Sequence, residues 1–581
     1  MSGEEILSDL RRRLAVARGD EPADLVLKGG RVASVFTGEL LEADVAVSGQ
    51  HVAGVGPGYE GRETFDARGL TILPGFIEGH MHLESTKLLP DQFARAVLPH
   101  GTTTVVIDPH EIANVFGLDG VRALLATAEG VPIDIFVMVS SCVPASEFES
   151  SGATVTAEEI AGYLREEPRA LGIAEMMNYP AVAAGGDDSL AKIEAAHAAK
   201  PPPHIDGHSP GLTGRDLNAY LAAGVRSDHE CTTYEEVLEK RRLGMWIMIR
   251  EGSAARNLEA LIPLVLEHGP RNTMVCTDDM EPDDLVADGH IDAVMRKAVR
   301  LGCPPHDALV MGTLNAARYH RLHEHGAVAP GYLADIVAVP DLEDFRPAAV
   351  WKRGRLVASE GEAVGDIRGP AAPEWMRGSV RVPELWAADF AVSANGRVRV
   401  IGVESGQIVT RALMDEPARR DGRAVADPPR DLAKIAVVER HRGTGRIGVG
   451  FVRGFGLQRG ALASTYAHDA HNVVVVGVDD ADMAAAVNRL SETGGGQIAV
   501  AGGRIVGEVP CPIGGLLSDR PVEEVAAGVG HMHEAVRDLG ATLLSPFMAM
   551  SFLALSVIPE LKITDRGLVD TVKFELVPLE V

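Results

Sequence analysis

The stretch Gly75–Ser85 reads GFIEGHMHLES, an apolar approach that ends in His80 and His82 with Glu84 two positions further on. Side chains two apart on a β-strand face the same side, so both imidazoles reach one point where the strand ends. A pair of hydrogen-bonded histidines would leave the same local text. The decision rests on whether other strands deliver ligands to the same place.

Seven more apolar runs follow: TTTVVIDPHE, DIFVMVSS, LGIAEMMN, HIDGHS, VRSDHE, MWIMIREG and NTMVCTDD. Helical stretches such as GLDGVRALLATAEG and TAEEIAGYLREEP lie between them. That alternation predicts βα units and a parallel sheet. Eight such strands predict an α/β fold closed as a (β/α)8 TIM barrel, with the polar strand ends gathered at its C-terminal mouth. The fourth run ends near Glu175 and the fifth near His208. The sixth ends in Asp228, His229 and Glu230, and the eighth in Asp278 and Asp279. Imidazole and carboxylate donors suit zinc, manganese or iron. So many converging ligands exceed the need of one ion and point to two metals sharing a carboxylate.

Outward from the barrel the rhythm changes. Residues 1–74 read as an N-terminal helix and the first part of a β domain, with DLVLKGGRV, DVAVSGQHVAGVG and TFDARGLTILP as short strands between Gly-rich turns. The barrel occupies 75–325. Residues 326–370 return to strand-and-turn text, so both flanks are expected to build one small β-sandwich domain. After the Pro-rich RGPAAPEW, residues 375–581 mix strands such as HNVVVVGV with helices such as DADMAAAVNRLSET, a C-terminal α/β domain.

At 581 residues the chain exceeds a single core, and its formal charge of -27 opposes binding to nucleic acid or to an anionic membrane. The five cysteines are scattered and never paired as CxxC, which predicts reduced, buried thiols and no thiolate zinc site. No apolar signal core opens the chain, and the apolar run Leu543–Leu561 is broken by Pro546 and Pro559. A cytoplasmic protein is expected, with that run as core or as subunit interface and a homodimer or larger homo-oligomer as the assembly.

Two motif matches fail on chemistry. GHSPG at Gly207–Gly211 fits the serine-hydrolase elbow, but Pro210 lacks the N–H that the oxyanion hole needs. His82 and Glu84 form the HxE of zinc-dependent cytidine deaminases, yet PCPIGG at Cys511 lacks the second cysteine.

GFIEGHMH, with later His, His and Asp at the strand ends, resembles the amidohydrolase superfamily over roughly Asp24–Glu360. GHMHLES, DPHEIANV, GHSPGL, SDHE, REGS, CTDD and the later HDAHNVVVVG narrow the resemblance to bacterial adenine deaminases over nearly the full length. The resemblance implies a binuclear centre of Mn2+ or Fe2+, with Zn2+ also accepted. Its ligands are His80, His82 and Asp278 on one metal and His208 and His229 on the other. Glu175 bridges them in the place where many relatives carry a carboxylated lysine. The implied reaction is hydrolytic deamination of adenine, a small purine, to hypoxanthine, with a metal-bound hydroxide attacking C6 and Asp278 moving its proton. Protonation of N1 is assigned to Glu111, supported by Asp108, although both also fit a helix-capping run. Glu84, Ser85, Arg250 and His468 are expected at the substrate, with helix capping for Ser85 and an ion pair for Arg250 as the competing readings. A hydantoinase- or dihydroorotase-like hydrolase is the main enzymatic alternative, and a barrel that has become a non-catalytic scaffold is the other.

Overall fold

The computed structural model describes residues 3–199 and 202–581. Five parallel strands run side by side in chain order: Phe76–Met81, Thr102–Ile107, Asp134–Val139, Ala170–Met176 and His204–Gly207. Three more, Ser227–Asp228, Trp246–Arg250 and Thr273–Cys276, form a second parallel group. Backbone bonds close both seams. Arg226 N donates to Ile205 O at 3.0 Å, His82 N to Asp278 O at 3.1 Å, and Asp278 N to His80 O at 3.2 Å. The result is the expected (β/α)8 barrel, whose strands are apolar on both faces because helices cover the outside and side-chain layers fill the inside. The fifth and sixth strands are four and two residues long. Their polar residues start early, and the chain turns toward the mouth as soon as they do.

Both flanks of the barrel segment enter one seven-stranded sheet. Thr71–Pro74, just ahead of the first barrel strand, pairs antiparallel with Ile336–Val339, just behind the last barrel helices. A second sheet of four strands, including Ala23–Lys28 and Asp44–Ser48, packs on it. Leu25, Leu27, Val45, Ile72, Ile336 and Trp351 form the common core. A β-sandwich is what two half-apolar sheets must do to bury their inner faces.

The C-terminal part is built on an eight-stranded sheet whose central strands include Leu432–Val438, Val473–Gly477 and Ala461–Ser464. Val473–Gly477 is buried along its whole length, as its unbroken valine run requires. The helix Asp480–Thr493 covers one face, and Asp479 caps it by accepting from the Ala481 and Asp482 N–H groups. The apolar run ahead of Leu561 folds into the helix Pro546–Ser551 and the turns after it, with Phe547, Met550, Leu553, Leu555 and Ile558 buried. From Pro546 on it is core of this protomer, packed on the C-terminal sheet and reaching the barrel mouth through Phe552 and Leu555, while Leu544 ahead of the helix is exposed. The exposed apolar row lies elsewhere, at Ile6, Leu7, Leu10 and Leu14 of the N-terminal helix Gly3–Arg18. Among the described residues all five cysteines are free and buried, and no helix is long and apolar enough to cross a membrane.

Candidate metal centre

The first barrel strand delivers His80 and His82 with their Nε2 atoms turned to one spot. His80 Nε2 lies 3.5 Å from Glu175 Oε1 and 3.4 Å from Asp278 Oδ1, and His82 Nε2 lies 3.2 and 3.0 Å from the same two atoms. His82 Nδ1–H donates to the Asp108 carbonyl at 2.9 Å, which fixes the tautomer and leaves Nε2 as the free lone pair. The other oxygen of Glu175 faces the opposite way. Oε2 lies 2.6 Å from His208 Nδ1 and 3.4 Å from His229 Nε2. One carboxylate thus serves two clusters, three donors on one side and two on the other.

The two oxygens of Asp278 are divided in the same manner. Oδ2 accepts from Arg250 Nη1 at 2.7 Å, while Oδ1 points at the His80 and His82 pair. Arg250 also grips both oxygens of Glu230, and all three side chains are buried. Arg250 is therefore an ion-pair residue behind the centre, as the competing reading held, and is absent from the cavity wall.

Whether cations fit can be read from unpaired atoms. His80 Nε2, Glu175 Oε1 and Asp278 Oδ1 are buried without a hydrogen-bond partner. Buried polar atoms are normally satisfied. Here nitrogen and carboxylate donors converge on points where no protein donor can reach, the requirement of a divalent transition metal in an N/O site. The electrostatics agree. Burial opposes charge on His80, yet Asp278 and Glu175 raise it to about 10, and the surrounding imidazoles hold Glu175 well below the usual carboxylate range despite its burial.

The remaining expected residues are placed unevenly. Glu111 sits in the first turn of the helix His110–Ala126 but is wholly buried, not an exposed cap. Its carboxylate meets His82 Nδ1 at 3.4 Å, His110 Nε2 at 3.3 Å and His468 Nδ1 at 3.4 Å. Although burial pushes it up, His110 and His82 hold it well below the usual range, and it stands behind the cavity wall. Glu111 is not among the residues that line the cavity and reaches it through His110 and His468, which do. Asp108 supports His110 instead, accepting from Nδ1 at 3.0 Å. Glu84 accepts from Ile112 N at 3.1 Å, with its pKa raised to about 8 by burial and by Glu111. Ser85 donates to Asp279 and bonds Tyr466 Oη at 2.7 Å. Neither Glu84 nor Ser85 lines the cavity, because the turn Leu83–Thr86 carries both away from the mouth.

The cavity itself is bounded by His82, His110, Glu175, His208, His229, Glu230, Asp278 and Asp279 from the barrel. His468, Asp469, Phe552 and Leu555 close it from the C-terminal part, with Met177 completing the wall. His468 is the expected residue that does arrive: Nδ1 faces Glu111, Nε2 faces Asp279 Oδ2 at 3.5 Å, and the ring stacks on Phe552 with centroids 4.4 Å apart. Phe552, Leu555 and Met177 carried no signal in the sequence, since an apolar residue in an apolar run looks alike in a core and in a binding wall.

Residues 71–357 match the amidohydrolase family, and residues 407–575 match the adenine deaminase C-terminal domain. A protein of Desulfatibacillum aliphaticivorans described as adenine deaminase is 48% identical over 97% of this chain and 99% of its own. One of Kosmotoga olearia is 44% identical over 97% and 98%. Another, described as adenine deaminase 2 of Carboxydothermus hydrogenoformans, is 45% identical over 99% and 100%. By this similarity along nearly its whole length, in barrel and C-terminal part alike, the chain belongs to the adenine deaminase family of amidohydrolases.

Proposed function

We propose that this protein hydrolyses adenine to hypoxanthine and ammonia. The observation that carries the reading is a cavity to which both matched parts contribute: metal-binding side chains from the barrel and His468, Asp469, Phe552 and Leu555 from the C-terminal part. His80, His82 and Asp278 would hold one divalent metal, His208 and His229 the other, with Glu175 shared. Manganese or iron suits these donors, and zinc is accepted by the same set. When bound, the metals supply Lewis-acid charge that lowers the pKa of water from near 16 toward about 7.

The chain's own groups then move protons. Asp278 takes a proton from the attacking water as its oxygen bonds to C6, and returns it to the departing amine. The C6–N6 bond breaks, ammonia leaves, and the ring keeps the oxygen. The ring-protonating role assigned to Glu111 passes through His468. Burial opposes its charge, but Asp279, Asp469 and Glu111 raise His468 to about 10, and its Nε2 has no hydrogen-bond partner. Glu111→Gln is expected to lower kcat while both metals stay bound. A fully active variant would remove this role.

A homodimer or larger assembly belongs to the same proposal, supported by the exposed row on the N-terminal helix. So does a cytoplasmic location, supported by buried free cysteines that fit a reducing compartment. The deciding experiment is ammonia release from adenine by manganese- and iron-loaded protein beside ring opening of hydantoins. Ring opening without ammonia from adenine would overturn the reading.

A further inference from the structure

Asp469 is 1% exposed and neither of its carboxylate oxygens has a hydrogen-bond partner. It follows the strand Ala461–Ser464 of the C-terminal part and lines the same cavity as the metal-binding cluster. Its ionic neighbours flank it at a distance: His110 Nε2 and His468 Nδ1 each lie 3.6 Å from Oδ1. Burial pushes this carboxyl up, but His110 and His468 outweigh it and hold it at about 2. The two imidazoles balance its charge, but at 3.6 Å they leave both oxygens short of a hydrogen bond in a place that water barely reaches. The missing donor belongs to whatever fills the cavity.

The position of Asp469 says which part of that molecule it meets. His110 stands between the two ends of the cavity, Nδ1 3.9 Å from Glu175 Oε1 and Nε2 toward Asp469. Asp469 thus sits one imidazole width beyond the bridging carboxylate. A purine whose C6 is at the metal end lays its five-membered ring across that width. In neutral adenine the N–H of that ring is the one donor besides the amine that reacts. Of the other carboxylates on the walls, Asp279 accepts from Ser85 and Tyr466, Glu230 and Asp278 from Arg250, and Glu175 from His208. Asp469 is thus the one lining carboxylate with neither oxygen bonded; Met177, Phe552 and Leu555 are apolar.

We propose that Asp469 accepts the five-membered-ring N–H of the purine and so selects the free base over nucleosides, in which a sugar replaces that hydrogen. The inference rests on the adenine reading above and adds the group that reads the far edge of the base. Rejection by an unpaired buried acceptor is far stronger than rejection by an apolar wall.

The test compares wild type, Asp469→Ala and Asp469→Asn, all manganese-loaded, on adenine, 7-methyladenine and 9-methyladenine. The methylated bases are measured as substrates or, where turnover is not detected, as competitive inhibitors. Both variants are expected to keep two metal equivalents and to lose about 10- to 100-fold in kcat/KM for adenine. The methylated bases should lose only the part that comes from Asp469's support of His468, so they lose less than adenine and the preference for adenine shrinks. Asp469→Asn keeps the shape of the side chain and preserves the comparison if the alanine variant does not fold. Parallel losses on all three bases, an unchanged preference, or loss of a third metal equivalent in the variants would each overturn the proposal. Wild type releasing no ammonia from adenine would overturn the proposed function and this inference together; normal turnover with an unchanged preference overturns the inference alone.

Discussion

Lys562 offers the sharpest test of the roof over the centre. It lies in the strand Leu561–Thr564, fully buried, and its Nζ donates to the carbonyls of Ile408 at 2.9 Å and Phe552 at 3.0 Å. Burial alone lowers its pKa from 10.5 to about 7. At about 1.36 kcal/mol per pH unit that fall amounts to about 5 kcal/mol of differential stability. Between these two values the folded chain binds fewer protons than the unfolded one, so stability rises with pH across the window. The contribution is fully present above 10.5 and is lost as pH falls through about 7. Lys562→Met removes the titrating group and keeps the apolar stem. It also strands two carbonyls, at about 1–3 kcal/mol each, a loss independent of pH. The stability difference between wild type and variant should therefore shift by about 3 kcal/mol in favour of wild type from pH 6 to pH 9. Urea unfolding of the full chain at pH 6, 7.5 and 9, followed by circular dichroism, measures that shift. A difference that stays flat with pH would refute the reasoning, because the ammonium would then be as well solvated in the fold as in water. The same variant frees the Phe552 carbonyl, whose ring stacks on His468, so KM for adenine is expected to rise with it.

Three further outcomes are expected. Asp278→Asn should reduce kcat by about 10²- to 10⁴-fold, the range for a lost proton-transfer group, as read by ammonia release beside metal analysis; near-normal kcat would remove its role. Arg250→Met leaves Glu230 and Asp278 buried without their shared counter-charge, which should cost the metal-free protein about 3–5 kcal/mol. Thermal denaturation with and without manganese reads this, since bound metal replaces part of the missing charge; equal loss in both states would argue against it. Gly172→Ala on the fourth barrel strand puts a Cβ 2.3 Å from the His204 carbonyl oxygen, against backbone that cannot yield. About 1–3 kcal/mol of overpacking, seen as a lower unfolding midpoint and less soluble protein, should follow, and a variant of unchanged stability would show that the neighbouring backbone can yield.

Sequence periodicity brought the candidate metal-binding side chains to one place because each sits at or near the end of an apolar strand. His80 and His82 share a face by the two-residue period, and the barrel's closure does the rest for Glu175, His208, His229 and Asp278. It carried side chains beyond the strand ends poorly. Glu84 and Ser85 lie only two and three residues past His82, but the turn Leu83–Thr86 rotates them toward Ile112 N and Asp279. Nothing in a pattern of apolar and polar residues states the direction of a turn. Glu111 shows a second limit. Its neighbours in the chain read as a helix start, while its burial among His82, His110 and His468 comes from two separate parts of the molecule.

The amino-acid sequence by itself determined the barrel, the flanking strands that join into one sheet, and the imidazole and carboxylate side chains at the strand ends. These follow from local periods of two and about four residues and from the chemistry of imidazole and carboxylate. Only the tertiary structure decided that the C-terminal part roofs the mouth, bringing Asp469 and Phe552 to side chains more than 300 positions away in the chain. The packing of one part on another is set by shape and buried area across many residues at once, and no short stretch of the chain encodes it.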